Sequence, residues 1–153
     1  MATRWGMRAS IPPEVACTLG IDHGSKRIGL AVSDPGGSVA LPAGTLESRG
    51  LARDLAAIRE VVEARQVERI VVGLPIHMDG RPGRQAEAAQ KFAEHLAREL
   101  GLPVETLDER WTTQEAERTL RETGRKGKKK RAVIDSVAAT LLLRTYLERE
   151  GAA

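Results

Sequence analysis

Aromatic residues are scarce in this sequence of 153 residues. Phenylalanine, tryptophan and tyrosine make up 3% of the chain, as Trp5, Phe92, Trp111 and Tyr146. Proteins that bind single-stranded nucleic acid usually stack its bases on such rings, and few rings are available here. If the chain binds nucleic acid, we therefore expect it to contact the backbone and to recognise shape rather than stacked bases.

Cysteine and long apolar runs are also scarce. Cys17 is the only cysteine, which excludes an intrachain disulfide and a cysteine-rich metal site and favours a reducing, cytoplasmic location. The first 14 residues contain Pro12 and Pro13 and no apolar run of the length that a signal peptide or a membrane span requires. We expect residues 1–14 to form a disordered tail and residues 15–150 to form one domain.

The net charge of +3 conceals a strong asymmetry. Residues 118–131 contain eight Lys or Arg and one Glu, so the remainder of the chain has a net charge of −4. A run of charge is often only a solvated loop, but such dense positive charge in an otherwise acidic chain favours a phosphate-binding element. Because like charges repel and Gly124 and Gly127 add flexibility, we expect residues 125–130 to form a mobile loop that clamps the substrate backbone. The residues predicted to bind nucleic acid are Lys26, Arg27, Arg110, Arg125, Lys126, Lys128, Lys129 and Lys130.

Hydrophobic periodicity predicts nine elements in the order β-β-β-α-β-α-β-α-α. Pro42 and Gly44 place the third strand at an edge or a bend of the sheet. Hairpins between the first three strands imply antiparallel pairing, and the later helical crossovers imply parallel pairing. We therefore predict an α/β fold with a five-stranded mixed sheet and helices on both faces. The predicted strands are 15–22, 27–33, 38–46, 68–74 and 103–109, and the predicted helices are 51–65, 85–100, 112–123 and 132–150.

Acidic residues follow two of the predicted strands. Asp22 ends the first strand, and Asp108 and Glu109 end the fifth. Ligands of α/β sheets bind at the carboxyl ends of the strands, so we expect these acids at one edge. Asp22 could instead serve only as a turn residue, although Gly24 already explains the turn. Adjacent strand residues point to opposite faces, so Asp108 and Glu109 cannot both point into one site, and the sequence leaves that choice open.

Asp135 lies in the apolar segment AVIDSVAATLLL and shares a helical face with Ala138, Ala139 and Leu142. This face is expected to pack on the sheet, where a carboxylate requires a partner. The partner is either a shared cation or a basic residue about one helical turn earlier. Carboxylates suit Mg²⁺ or Mn²⁺, and a pair of such ions promotes phosphodiester hydrolysis. Clustered acids together with basic residues therefore predict a metal-dependent nuclease.

Four segments between Cys17 and Glu148 resemble the YqgF/RuvX family in their order and spacing: GIDHGSKRIGLAVSD, VVGLPIHMDG, LDERWTT and IDSVAATLLL. Members of this family are described as pre-16S rRNA nucleases or as Holliday-junction-resolvase-like proteins. The resemblance implies an RNase H-like fold and a role in processing the 5′ end of 16S rRNA, with branched DNA as the other proposed substrate. It also implies that Asp22, Glu109 and Asp135 are the catalytic, metal-binding carboxylates, with Asp108 as the alternative to Glu109.

Two other functions are compatible with the sequence. The chain could be a nucleic-acid-binding factor without catalytic activity, acting in ribosome assembly or transcription. Alternatively, Asp22, Gly24 and Gly29 resemble the first phosphate loop of the actin-like ATPases, but that fold normally requires two such domains and 153 residues supply one. We expect no membrane partner, and the sequence leaves open whether the chain is a monomer or a homodimer.

Overall fold

The computed structural model describes residues 17–34, 39–75, 83–108 and 127–151, without the side chains of residues 127–135 and 151. The predicted tail (1–14) and the predicted helix 112–123 lie outside these ranges. The described elements are β1 (Cys17–His23), β2 (Arg27–Ser33), β3 (Ala40–Glu47), α1 (Leu51–Arg65), β4 (Val67–Leu74), α2 (Arg84–Leu100), β5 (Val104–Asp108) and α3 (Gly127–Gly151). None of the described helices is long and apolar enough to cross a membrane.

The five strands form one mixed sheet in the order β3-β2-β1-β4-β5. The β1–β2 and β2–β3 pairs are antiparallel, and the β1–β4 and β4–β5 pairs are parallel, which confirms the predicted pairing. β3 lies at an edge, as Pro42 and Gly44 predicted, and its register with β2 shifts at these residues. The central strand is therefore β1, the strand that carries Asp22.

Helices cover both faces of the sheet, as predicted. On one face, α1 and α2 pack on alternate residues of the strands, including Leu19 and Ile21 of β1, to form the larger core. On the other face, α3 packs on Ala31 and Val71. Removing each large side chain of these cores from water stabilises the fold by about 1.5–3 kcal/mol. Below, these are called the α1/α2 face and the α3 face.

The position of α3 along the sheet is defined by its contacts. Tyr146 is fully buried, and its hydroxyl donates a hydrogen bond to Glu105 of β5 and accepts one from Arg69 near the start of β4, at 3.4 Å. Leu143 and Ala139, earlier in the helix, lie over Gly20 in the middle of β1. The later residues of α3, around Tyr146, therefore lie near the amino edge of the parallel strands, and its earlier residues lie towards their carboxyl edge.

The helix α3 begins at Gly127, five residues before the predicted start at Ala132. The prediction of a mobile loop over residues 125–130 is therefore wrong for residues 127–130, which are helical. Lysine and arginine are good helix formers, so a dense run of them can extend a helix that already packs on a sheet. Residues 125 and 126 lie outside the described part of the chain.

Candidate active site

The carboxyl ends of the parallel strands meet at one edge of the sheet, as expected. Asp22 of β1 is aligned with Gly73 of β4, and Gly73 is aligned with Leu107 of β5. Asp108 follows next to Leu74. The strand-end residues that the sequence singled out within the described ranges thus share this carboxyl edge.

Asp22 is the next-to-last residue of the central strand and is partly buried. Side chains two residues apart share a face, and Gly20 contacts α3, so Asp22 lies on the α3 face. Its partners on the neighbouring strands are Gly29 of β2 and Gly73 of β4. Because glycine has no side chain, neither neighbour fills the space beside the carboxylate on this face.

Asp108 lies on the opposite face from Asp22. Glu105 of β5 is hydrogen-bonded by α3, and Leu107 packs in the core beneath α3. Alternation along the strand therefore assigns Asp108 to the α1/α2 face. Glu109 lies outside the described residues.

Asp135 lies in α3, one turn before the contact of Ala139 with Gly20. Its helical neighbours Ala138, Ala139 and Leu142 are all buried, as the predicted core face requires. The direction of α3 puts residue 135 on the carboxyl-edge side of that contact. The side chain of Asp135 is not among those described, so its convergence with Asp22 remains a prediction.

A divalent cation is compatible with the surroundings of Asp22. The carboxylate is a hard oxygen ligand of the kind that Mg²⁺ and Mn²⁺ prefer, and the paired glycines on the two neighbouring strands place no side chain beside it. Among the described side chains, no group of three His, Cys, Asp or Glu is arranged to hold a metal ion. Two of the three predicted ligands, Glu109 and Asp135, have no described side chain, so the predicted triad is not tested by that result.

The predicted basic residues are described only in part. Lys26 is exposed in the turn between β1 and β2, and Arg27 begins β2, so both lie at the carboxyl edge near Asp22. Lys128, Lys129 and Lys130 occupy the beginning of α3, without described side chains. Arg110, Arg125 and Lys126 lie outside the described residues.

Comparison with known families identifies the family of this chain. A family model described as "RuvX: Holliday junction resolvase" matches residues 16–149. The chain belongs to this RuvX family. A relative from Moorella thermoacetica is 50% identical over 133 residues, which are 87% of this chain and 95% of the relative. One from Myxococcus xanthus is 45% identical over 131 residues, covering 86% of this chain and 87% of the relative. Both are named "Putative pre-16S rRNA nuclease".

Solved structures identify the fold of this RuvX chain. A RuvC from T. thermophilus in complex with a Holliday junction substrate superposes with a TM-score of 0.55 at 18% identity, covering 89% of this chain and 96% of RuvC. A Fowlpox virus resolvase bound to Holliday junction DNA gives a TM-score of 0.53 at 10% identity, covering 88% and 98%. At these identities the similarity shows the fold alone, and the predicted RNase H-like fold is confirmed.

The RuvX chain also has a cleft on the α1/α2 face, which sequence reasoning missed. It has a volume of about 300 Å³ and is lined by His23, Ser48, Gly50, Leu51, Asp54, Ala88, Lys91, Phe92 and His95. His23 directly follows Asp22, but strand alternation points it to the opposite face. Burial lowers the pKa of His23, and the nearby Asp54 carboxylate partly opposes this shift. The residues come from β1, from the segment after β3 and from two helices, so no local motif reveals the cleft.

Proposed function

We propose that this chain is a metal-dependent endonuclease that hydrolyses phosphodiester bonds and processes the 5′ end of pre-16S rRNA. The observation that carries the proposal is the position of Asp22, a carboxylate at the end of the central strand, flanked by two glycines and facing the helix that contains Asp135. The nuclease name of relatives at 50% and 45% identity supports the same activity.

The three proposed ligands are Asp22, Glu109 and Asp135. Strand alternation supports Glu109 over Asp108, because Asp108 lies on the face opposite Asp22 and a residue one step further along the strand would return to the α3 face. When bound, Mg²⁺ or Mn²⁺ would lower the pKa of a coordinated water and neutralise charge on the leaving oxygen. The role of the three carboxylates is to hold the cation at a fixed place on the sheet edge.

The basic residues would hold the substrate rather than take part in the reaction. Lys26 and Arg27 lie at the carboxyl edge near Asp22, where they would contact backbone phosphates of the substrate. Lys128, Lys129 and Lys130 begin α3, where helical amide N–H groups also favour anions. Contacts of this kind position nucleic acid without reading its sequence.

Branched DNA is the second candidate substrate. The description of the RuvX family as Holliday junction resolvases favours it, and both substrates would use the same carboxylates. We further propose that residues 15–150 act as one nuclease domain in the reducing cytoplasm, which is consistent with a single cysteine.

A cleavage assay tests the proposal directly. The purified protein is incubated with a pre-16S rRNA fragment, a four-way DNA junction and a linear DNA duplex, each with Mg²⁺, with Mn²⁺ and with EDTA. We expect metal-dependent cleavage of the rRNA precursor near the mature 5′ end. Preferential cleavage of the junction would favour the resolvase function. Tight binding without cleavage in either metal would overturn the enzyme in favour of a non-catalytic binding factor.

A further inference from the structure

The cleft on the α1/α2 face opens at the same carboxyl edge as Asp22. His23 is the last residue of β1, and Leu51 is the first residue of α1. The end of β3 is tied to the same edge, because Ser48 N–H donates to the carbonyl of Lys26 at 2.9 Å. A nucleic-acid strand that passes Asp22 on one face of the sheet can therefore reach the cleft by crossing this edge.

One wall of the cleft is a planar ring. The His23 imidazole stacks on the Phe92 ring with a centroid distance of 4.5 Å and an interplanar angle of 24°. Phe92 is only 3% exposed, so His23 is the ring of this pair that a ligand can contact. The stacking partner also fixes the orientation of His23, which lowers the entropic cost of placing another flat group against it.

An apolar side chain also lines the cleft. Leu51, the first residue of α1, is among the lining residues and is 44% exposed. A volume of about 300 Å³ lies at the small end of the range for ligand pockets. The cleft therefore suits a single flat group rather than an extended ligand.

Polar groups define which kind of flat group fits. Lys91, which is exposed, and His95, which is partly buried, lie on the same side of α2 and can face a phosphate. The buried Asp54 is already used by the protein, because its two oxygens accept hydrogen bonds from the Ser48 hydroxyl at 2.6 Å and the Arg49 N–H at 2.8 Å. A cleft that combines an imidazole ring, an apolar side chain and a lysine matches a nucleotide.

We propose that this cleft binds one unpaired nucleobase of the nucleic-acid substrate between His23 and Leu51, with Lys91 and His95 facing an adjoining phosphate. The proposal rests on the proposed nuclease function and adds to it a preference for an unpaired nucleotide near the cleaved bond. Histidine is one of the side chains on which RNA-binding proteins stack unpaired bases. Phe92 and Tyr146 cannot serve in this way, because both are buried.

The test distinguishes binding of the base from binding of the phosphate. The probes are an RNA hairpin with one unpaired nucleotide, the same hairpin with an abasic site at that nucleotide, and a fully paired hairpin. Affinities are measured in EDTA, so that no cleavage occurs. The wild-type protein should bind the hairpin with the unpaired base about tenfold more tightly than the abasic hairpin, as expected when one base–ring stack is lost.

His23→Ala should reduce this preference, and His23→Phe should retain it. In a double-mutant cycle, the abasic site should then cost the His23→Ala protein less affinity than it costs the wild type. Leu51→Ser should weaken binding of the unpaired base, whereas Leu41→Ser, at a leucine of similar exposure (47%) on the edge strand, should not. Lys91→Ala should weaken binding of both hairpins that carry the unpaired nucleotide, and Arg98→Ala, two turns later on α2, should have no such effect.

The outcomes distinguish this inference from the proposed function. Equal affinity of the wild-type protein for the base and the abasic hairpin, or an unchanged preference in His23→Ala and Leu51→Ser, overturns the base-binding cleft and leaves the nuclease untouched. A clear preference for the unpaired base without cleavage in Mg²⁺ or Mn²⁺ overturns the proposed nuclease function and leaves the base-binding inference standing. Melting temperatures check folding, and Leu51→Ser keeps the test decisive if His23→Ala does not fold.

Discussion

Gly20 of β1 and Leu143 of α3 are in such close contact that a Cβ atom at position 20 would lie 2.9 Å from Leu143 Cβ. The carbonyl oxygen of Ala139 would lie 3.2 Å away. Neither atom can rotate aside, because one is attached directly to the backbone and the other belongs to it. Glycine at this position therefore allows the helix that carries Asp135 to lie directly on the strand that carries Asp22.

Gly20→Ala should displace α3 from the sheet. We expect the free energy of unfolding to fall by about 1–3 kcal/mol, the usual cost of overpacking a core. Cleavage should fall further than stability alone explains, because the helix with Asp135 moves relative to Asp22. Urea unfolding and cleavage rates at a temperature where the protein stays folded measure the two effects.

The matched control for Gly20→Ala is Ile58→Val, in the core on the other face of the sheet. It should cost about 0.5–1.5 kcal/mol of stability and leave cleavage by the folded protein unchanged. If Gly20→Ala cleaves as fast as Ile58→Val, the position of α3 does not control the activity.

Asp22 and Asp108 lie on opposite faces of the sheet, so their substitution should have different effects on cleavage. Asp22→Asn should reduce cleavage by at least about 100-fold while leaving nucleic-acid affinity nearly unchanged, because it removes a metal ligand and leaves the basic residues that would bind the substrate in place. Asp135→Asn should behave in the same way. Asp108→Asn, on the opposite face, should retain most activity, and Glu109→Gln should lose it. Cleavage by Asp22→Asn at the wild-type rate would contradict the three-carboxylate site.

Tyr146 should make the stability depend on pH in the alkaline range. Burial, together with the hydrogen bond to Glu105, raises the pKa of its hydroxyl to about 12, against about 10 in the unfolded chain. Between these values the unfolded state releases a proton that the folded state retains, so the stability supplied by this group is present below pH 10 and is lost as the pH rises towards 12.

Tyr146→Phe removes that titrating group. At pH 8 the variant should be less stable than the wild type by about 1–3 kcal/mol, since a buried hydrogen bond to a charged group is lost. Urea unfolding at pH 8, 9, 10 and 11 should show this difference shrinking above pH 10. A stability difference that stays constant to pH 11 would mean that the titration of Tyr146 does not cause the loss of stability at alkaline pH.

Periodicity predicted the sheet and its helices because each element buries one continuous apolar side. The short apolar runs around Ile21 and Val71 indicated buried strands, because turn residues bounded them. The start of α3 was missed because a run of lysines predicts solvation, whereas packing of the apolar residues after Ala132 extends the helix back to Gly127. Local composition does not contain that tertiary support.

The sequence predicted which residue types form the site but not the face of the sheet on which each acid lies. Acids at strand ends indicated a common edge, and the register confirmed that edge for Asp22 and Asp108. The contact between Glu105 and Tyr146, 41 residues apart in sequence, shows which side chains of β5 face α3. Alternation along the strand could not by itself decide whether Asp108 or Glu109 faces the site. The cleft beside His23 was invisible for the same reason, since its walls meet only in the folded chain.

The lysines at the start of α3 give the last prediction. Positive charge at the amino end of a helix is unfavourable because the helix dipole is also positive there, so bound phosphates would relieve both the dipole and the mutual repulsion of Lys128, Lys129 and Lys130. Replacing all three with Ala should weaken binding to every RNA and DNA sequence tested. The dependence of log affinity on log salt should become shallower by up to about one unit per lost phosphate contact. A filter-binding titration at several salt concentrations in EDTA measures both quantities.

The control replaces Arg59, Arg65 and Arg98 with Ala, which removes the same charge from exposed positions of α1 and α2 near the amino edge. This variant should keep nearly the wild-type salt slope, because these arginines lie away from Asp22. Equal losses in both variants would indicate a general effect of net charge. An unchanged slope in the lysine variant would remove the start of α3 from the nucleic-acid interface and leave Lys26 and Arg27 as the described basic residues beside Asp22 that hold the substrate.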